Sequence, residues 1–251
     1  MLFLLLACTD TRAVTGQVVD IWGKPVPDAT VVVEGVMERF RSDESGVFRI
    51  EVENPVSRVM VGKDGFIKDI EDARAETEES DYDPLAFRLY PEPEKPGFYG
   101  VGSEGYVAVG RQRIQMVGDD LHHFAGVQDI PEEALPGVDG GNEFVFTTKL
   151  RPSEISQMNL HLSKLEFVDK TRVKGVFGAM DATINLWVAR DDVPFVLTAF
   201  GTREDYLIKT KERMQPGIYA FHAHDVLHEE DERVLRELPK EEQVAFAFEV
   251  R

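Results

Sequence analysis

The sequence predicts a mainly β protein made of two small domains with little helix. Three observations predict it. Short apolar runs alternate with polar residues at a period of two, clusters of Gly, Pro, Asn and Asp punctuate them, and only Asp231 to Leu238 carries a helical pattern, with Val234, Leu235 and Leu238 on one face. A chain of 251 residues with 43% hydrophobic content can bury two cores, since domains of roughly 100 to 150 residues are the usual size.

The first domain is read at residues 14 to 90. Gln17 to Asp20 runs into a turn at Ile21-Trp22-Gly23-Lys24-Pro25, where Gly23 can take positive φ and Pro25 cannot continue a central ladder. Ala29, Val31 and Val33 alternate with Thr30, Val32 and Glu34, as in a half-buried strand. Asp43-Glu44-Ser45-Gly46 is a second turn, in which the Asp43 carboxylate can accept backbone N–H groups and Gly46 supplies the left-handed residue. Phe48 and Ile50 then return to the core.

The ordered pieces Gly16-Gln17-Val18, Gly23-Lys24-Pro25-Val26, Ala29-Thr30-Val31 and Asp43 to Phe48, closed by Lys63-Asp64-Gly65-Phe66, closely resemble the carboxypeptidase regulatory-like domain family. The resemblance implies a transthyretin-like β-sandwich of about seven strands over the first third of the chain. It implies no activity, because a sandwich is a carrier and function lives in sites grafted onto it. A zinc carboxypeptidase companion would bring an H-x-x-E ligand pair, which this sequence lacks. The residues that follow are too few and wrongly patterned for an outer-membrane receptor barrel.

Glu71 to Asp83 is an acidic loop leading into a last strand, Leu85 to Tyr90, and the domain boundary is expected near Pro91. The second domain, 91 to 251, has recurrent β-type runs: Tyr106 to Val109, Arg113 to Val117, Glu143 to Leu150, Met158 to Leu162, Thr183 to Ala189, Phe195 to Phe200, Tyr206 to Thr210 and Ala245 to Val250. Their spacing predicts a second sandwich or barrel. Pro96-Gly97-Phe98-Tyr99-Gly100 and Pro216-Gly217-Ile218-Tyr219-Ala220 echo each other, as a repeated half-domain or as one turn-into-strand solution used twice.

A formal net charge of -18 argues against a nucleic-acid partner, whose affinity rests on Lys and Arg displacing counterions. It disfavours an anionic lipid surface for the same reason. Cys8 is the sole cysteine, so no intrachain disulfide forms. It ends the apolar run Met1 to Ala7, and Leu5-Leu6-Ala7-Cys8 resembles a bacterial lipobox. That resemblance implies a signal segment over residues 1 to 13, cleavage before Cys8 and a lipid anchor on its thiol. Each buried acyl methylene contributes about 0.8 kcal/mol. The run is shorter than the roughly 7 to 15 residues usual for a signal and no Lys or Arg precedes it, so the true start can lie upstream of Met1. Thr9, where a retention signal resembles Asp, points to the outer membrane.

One cluster has the residue types for metal chemistry. His222-Ala223-His224-Asp225-Val226-Leu227-His228 follows the run Ile218 to Phe221, and residues two apart on a strand share a face. His222 and His224 can thus share an ion, with His228 or one of Glu229, Glu230, Asp231 and Glu232 completing a tetrahedral zinc site. A strand running into a polar turn and an acidic helix start gives the same letters. The run lacks the final His of H-E-x-x-H. His122 and His123 face opposite ways if extended, and His161 reads as a core or surface histidine.

Other catalytic signatures are absent. Val101-Gly102-Ser103-Glu104-Gly105 lacks the first glycine of a nucleophile elbow, and no Gly-Lys-Ser/Thr phosphate loop occurs. The sequence therefore reads as a lipid-anchored cell-envelope protein, non-enzymatic, with a binding or structural role, no required cofactor, and an envelope protein or glycan as partner. Two alternatives stand beside it. One is a metal-binding protein or metal-dependent hydrolase centred on His222 and His224, with zinc as the ion; the other is a glycan-binding or adhesion module using Trp22 and Trp187, although a tryptophan on an alternating strand is usually core.

Overall fold

The computed structural model describes residues 11–77, 80–118, 123–128, 130, 137–138, 142–175, 178–200, 205–229 and 232–251. The chain is mainly β and divides into two units between Glu94 and Lys95, a few residues beyond the expected boundary at Pro91.

The first unit contains eight strands: β1 (Arg12–Asp20), β2 (Thr30–Val33), β3 (Arg39–Arg41), β4 (Val47–Val52), β5 (Arg58–Gly62), β6 (Phe66–Ile67), β7 (Asp69–Asp72) and β8 (Leu85–Pro91). They form two four-stranded sheets, in the orders β4-β1-β8-β6 and β3-β2-β5-β7. Val14, Val18, Phe48, Ile50, Phe87 and Leu89 from one sheet and Val31, Val33, Val59 and Val61 from the other share one core. The alternation in β4 is complete: Phe48, Ile50 and Val52 are buried while Val47, Arg49 and Glu51 are exposed. Eight strands arise rather than about seven because the run from Phe66 to Asp72 changes sheets at Lys68. Before it β6 pairs with β8, and after it β7 pairs with β5.

Two glycines explain the motif spacing. Gly16 is directly paired with Phe48, and a Cβ there would meet the Phe48 ring. Gly46 has φ +76°, the left-handed region that side chains disfavour. Asp43 Oδ1 accepts the N–H groups of Ser45 at 2.8 Å and Val47 at 2.9 Å, so the turn satisfies its own donors.

The second unit comprises β9 (Gly97–Val101), β10 (Tyr106–Ala108), β11 (Gly110–Gly118), β12 (His123–Val127), β13 (Gly137–Val138), β14 (Glu143–Thr147), α1 (Pro152–Gln157), β15 (His161–Gly175), β16 (Gly178–Asp192), β17 (Phe195–Phe200), β18 (Asp205–Thr210), β19 (Gly217–His222), a 3-10 turn at Val226–His228, α2 (Glu232–Glu237) and β20 (Val244–Val250). One sheet is five-stranded, β10-β9-β14-β18-β17. The other runs β11-β12-β16-β15-β19-β20-β13 and is closed by a further β11–β20 pairing. Closure makes six of its strands, β11, β12, β16, β15, β19 and β20, a ring. β11 spans the seam, pairing with β20 through Gly110 to Arg113 and with β12 through Ile114 to Gly118.

The period-2 alternation assigns each face of β19 to a different core. Ile218 and Ala220 lie in the barrel interior with Ile114, Val127, Leu165, Ala245 and Ala247. Tyr219 and Phe221 point outward into a second core, under the five-stranded sheet, with Phe98, Phe144, Phe146, Tyr206 and Phe248. Val226 and Leu227 of the 3-10 turn and Leu235 of α2 join the interior cluster, so the segment after β19 folds back over one end of the barrel.

The two echoing segments open β9 and β19 in the same way. Gly97 and Gly217 have φ of +154° and +151°, and Tyr99 and Tyr219 each donate a hydroxyl to the carbonyl four residues earlier, at Lys95 and Gln215, at 2.7 Å. This is one turn-into-strand solution used twice.

Candidate functional site

The end of the barrel covered by the 3-10 turn gathers the polar residues. β15 begins at His161, β16 ends at Asp192 and β19 ends at His222. Register brings them together: His161 is paired with His222, and Ser163 with both Ala220 and Asp192. Beyond His222 the chain turns sharply through His224 and Asp225, at φ +54° and +57°, which His and Asp adopt more readily than most residues. That turn carries Asp225 and His228 to the same end.

His222 is the centre of the cluster and is 1% exposed. Burial is the main reason its pKa falls to about 4, and the nearby His161 pushes the same way, against the opposing pull of Asp225. The imidazole is therefore neutral at pH 7, and one ring nitrogen carries its single proton. Ser163 Oγ lies 2.9 Å from His222 Nε2 and donates its own hydrogen to Asp192 Oδ1 at 2.9 Å. A hydroxyl has one proton to give, so toward His222 it accepts, and the imidazole proton sits on Nε2. Nδ1 is left with an unshared lone pair. Among the described residues it is the buried side-chain nitrogen or oxygen atom that has no hydrogen-bond partner.

Around it, His228 Nδ1 lies 2.6 Å from Asp225 Oδ1, and the His228 ring centroid is 6.1 Å from that of His222. His161 Nδ1 faces two carboxylates, Asp225 at 3.7 Å and Asp192 at 3.8 Å. Its Nε2 is 2.9 Å from the Asn159 amide nitrogen, which donates, so the His161 proton sits on Nδ1. Two sets offer donor atoms within 4.8 Å of one another: His222, Asp225 and His228, and His161, Asp192 and Asp225. Either set contains imidazole and carboxylate, ordinary ligands of zinc.

The structure brings His222 and His228 together but leaves His224 apart. β19 ends at His222, so the strand rule that places residues two apart on one face does not reach His224; its Nε2 instead contacts Glu242 at 2.8 Å. Asp225, Asp192, Ser163 and His161 are the members that sequence reasoning missed. Asp225 lay inside the histidine run, whereas the others depend on the pairing of β15 with β16 and β19. Cys8, His122, Glu230 and Asp231 lie outside the described residues.

The two tryptophans are half-buried. Trp187 packs on the barrel interior cluster, with its ring 5.5 Å from Phe167. Trp22 sits in the turn after β1, where its backbone N–H donates to Asp20 at 2.9 Å. A pocket of about 440 Å³ in the second unit is lined mainly by apolar groups, among them Phe98, Phe146, Met158, Leu160 and Phe246, and His222 also contributes to its wall.

No family model matches this chain, and no curated protein matches it. Among solved structures, BcpA, the major pilin subunit of Bacillus cereus, aligns with 96% of this chain and 67% of its own at 8% identity, with a TM-score of 0.21. A variant of the same pilin aligns with 96% of this chain and 68% of its own, also at 8% identity, with a TM-score of 0.24. Likeness at that level carries no argument about this chain.

Proposed function

We propose that this chain is a lipid-anchored protein of the cell envelope that acts by binding, with its site at the covered end of the second unit's barrel. The first unit is a carboxypeptidase regulatory-like module that serves as a carrier. The motifs from Gly16 to Phe66 support that reading, as does the two-sheet core they build. The anchor rests on Cys8 at the end of an apolar run, and Thr9 supports the outer membrane as its destination.

One observation carries the binding site, the buried and unpartnered Nδ1 of His222. A buried polar atom without a protein partner loses roughly 1–3 kcal/mol of solvation, and in folded proteins such an atom is usually completed by an ordered water, an ion or a ligand.

Two measurements test the reading. The full-length protein, expressed from its native upstream sequence, takes up an alkyne fatty-acid probe, and Cys8→Ala abolishes the label. An unlabelled wild-type protein removes the anchor. Thermal-shift screening of a panel of metabolites and ions finds a stabiliser that acts on wild type and not on His222→Ala. A panel whose stabilisers all act equally on both proteins removes the binding site.

A further inference from the structure

We infer that the ligand of this site is a single divalent transition-metal ion of the zinc class, held by Nδ1 of His222 with Asp225 and His228. The inference rests on the binding reading above and names the chemistry of its ligand.

The donor geometry is close to what such an ion needs. Metal–nitrogen and metal–oxygen bonds of about 2.0–2.2 Å place the donors of a tetrahedral site roughly 3.4 Å apart. One ligand atom from each of the three residues, either nitrogen of an imidazole counting, already lies within 4.8 Å of the other two. His228 and Asp225, hydrogen-bonded at 2.6 Å, separate by under about 1 Å when an ion replaces the shared proton.

His222 is prepared as a ligand before any ion arrives. Ser163 accepts its Nε2 proton while donating to Asp192, which commits the lone pair to Nδ1. Hydrogen bonding at the distal nitrogen is the usual way a protein orients a metal-binding imidazole and raises its basicity. Ser163 is 0% exposed, so water does not compete for that bond.

The second donor set is not an equal alternative. With Asn159 donating to its Nε2, His161 presents a proton at Nδ1 toward Asp192 and Asp225. Its lone pair is already engaged by Asn159, and its set contains no buried atom left without a partner, whereas the first set contains His222 Nδ1. This predicts one ion and not two. Two imidazoles and one carboxylate favour zinc, copper or nickel over magnesium and calcium, which take oxygen donors. Three protein ligands leave a coordination position for water or for a group on a partner.

The test is calorimetric titration of the full chain, purified without a histidine tag and stripped with chelator, using Zn²⁺ and then Mg²⁺. Co²⁺ substitution reads the geometry by absorption. Expected are one zinc per chain, no magnesium uptake at matched concentrations, and intense tetrahedral Co²⁺ bands. His222→Ala and the solvent-facing changes His228→Ala and Asp225→Asn each lower affinity by 100-fold or more. Ser163→Ala lowers it about 10–100-fold, Ser163→Thr restores it, and His224→Ala leaves it within about twofold of wild type. Nitrogen-15 shifts of the metal-free protein report the Nε2–H form of His222.

No zinc-class binding by wild type overturns the metal assignment. If a different panel compound still stabilises the protein through His222, the binding reading survives without it; if none does, both fall. Two zinc ions per chain, undiminished binding in His228→Ala and Asp225→Asn, or an Nδ1–H form of His222 would each overturn the assigned ligand set.

Discussion

His161 and His222 face each other directly across the β15–β19 ladder, with their rings stacked at 5.4 Å and 16°. Two imidazoles so placed do not both hold a proton readily, since like charges disfavour each other. Burial is the main reason that His222 stays neutral. His222 is sealed, whereas the His161 side chain is 22% exposed and lies beside two carboxylates.

That asymmetry predicts an acid-sensitive metal-free protein. The pKa of His222 falls from 6.5 to about 4 on folding, so between those values the unfolded chain binds a proton that the folded chain refuses. The His222 contribution is present above pH 6.5 and is lost as pH falls through 4. The loss reaches about 2 kcal/mol by pH 5 and about 3 kcal/mol below pH 4. The groups facing it are His161 on β15, Asp192 at the end of β16, and Asp225 and His228 beyond β19. Urea midpoints from pH 7.5 to 4.5 check this in chelator-treated protein. His222→Gln, which does not titrate, should flatten the profile relative to wild type, and identical slopes would refute the assignment.

Ser42 is a structural counterpart in the first unit. Its buried Oγ accepts the N–H of Ala29 at 2.9 Å and donates to the carbonyl of Val26 at 2.8 Å. Ser42→Ala removes both partners and is expected to destabilise by roughly 1–3 kcal/mol. The check is a lowered denaturant midpoint with His222-dependent behaviour unchanged.

Gly23 and Gly46 have nearly the same φ, +78° and +76°, in different surroundings. A Cβ at Gly23 meets nothing within 4 Å, whereas at Gly46 it collides with the Val18 carbonyl. Gly23→Ala should therefore show only the left-handed penalty of about 1–2 kcal/mol. Gly46→Ala should show more, because it also displaces the Val18 N–H bond to the Gly46 carbonyl at 2.8 Å. Equal melting temperatures for the two variants would refute this.

The repeated Pro-Gly-x-Tyr turns offer a graded comparison. Tyr219 is 3% exposed, while the matching bond from Tyr99 is exposed. Tyr219→Phe is expected to destabilise by about 1 kcal/mol and Tyr99→Phe by less, read as urea midpoints.

The first unit was the more legible, and particular residues show why. Asp43, Gly46 and Gly16 act through neighbours a few residues away or one ladder over, so their spacing carries the turn and the register. α1 was not anticipated, although Pro152 stands at its start and Glu154 accepts the Arg151 N–H at 2.7 Å; six residues are too short for a periodic signal. The long hairpin of β15 and β16 was seen only in part. The expected run from Met158 to Leu162 straddles the end of α1 and the start of β15, because tertiary pairing and not local alternation sets where that strand begins.

The order of residues is enough to establish a mainly β chain, the turn chemistry of the first unit, and a histidine run at the end of a buried strand. These depend on periods of two and on local hydrogen bonding. The closed ring of strands and the membership of the polar cluster came only with the folded chain. Ser163 and Asp192 reach His222 through ladder register, and His224 leaves it through a left-handed turn. Long-range pairing converts small shifts of register into a different set of facing side chains, so the residues that share a site are decided in three dimensions.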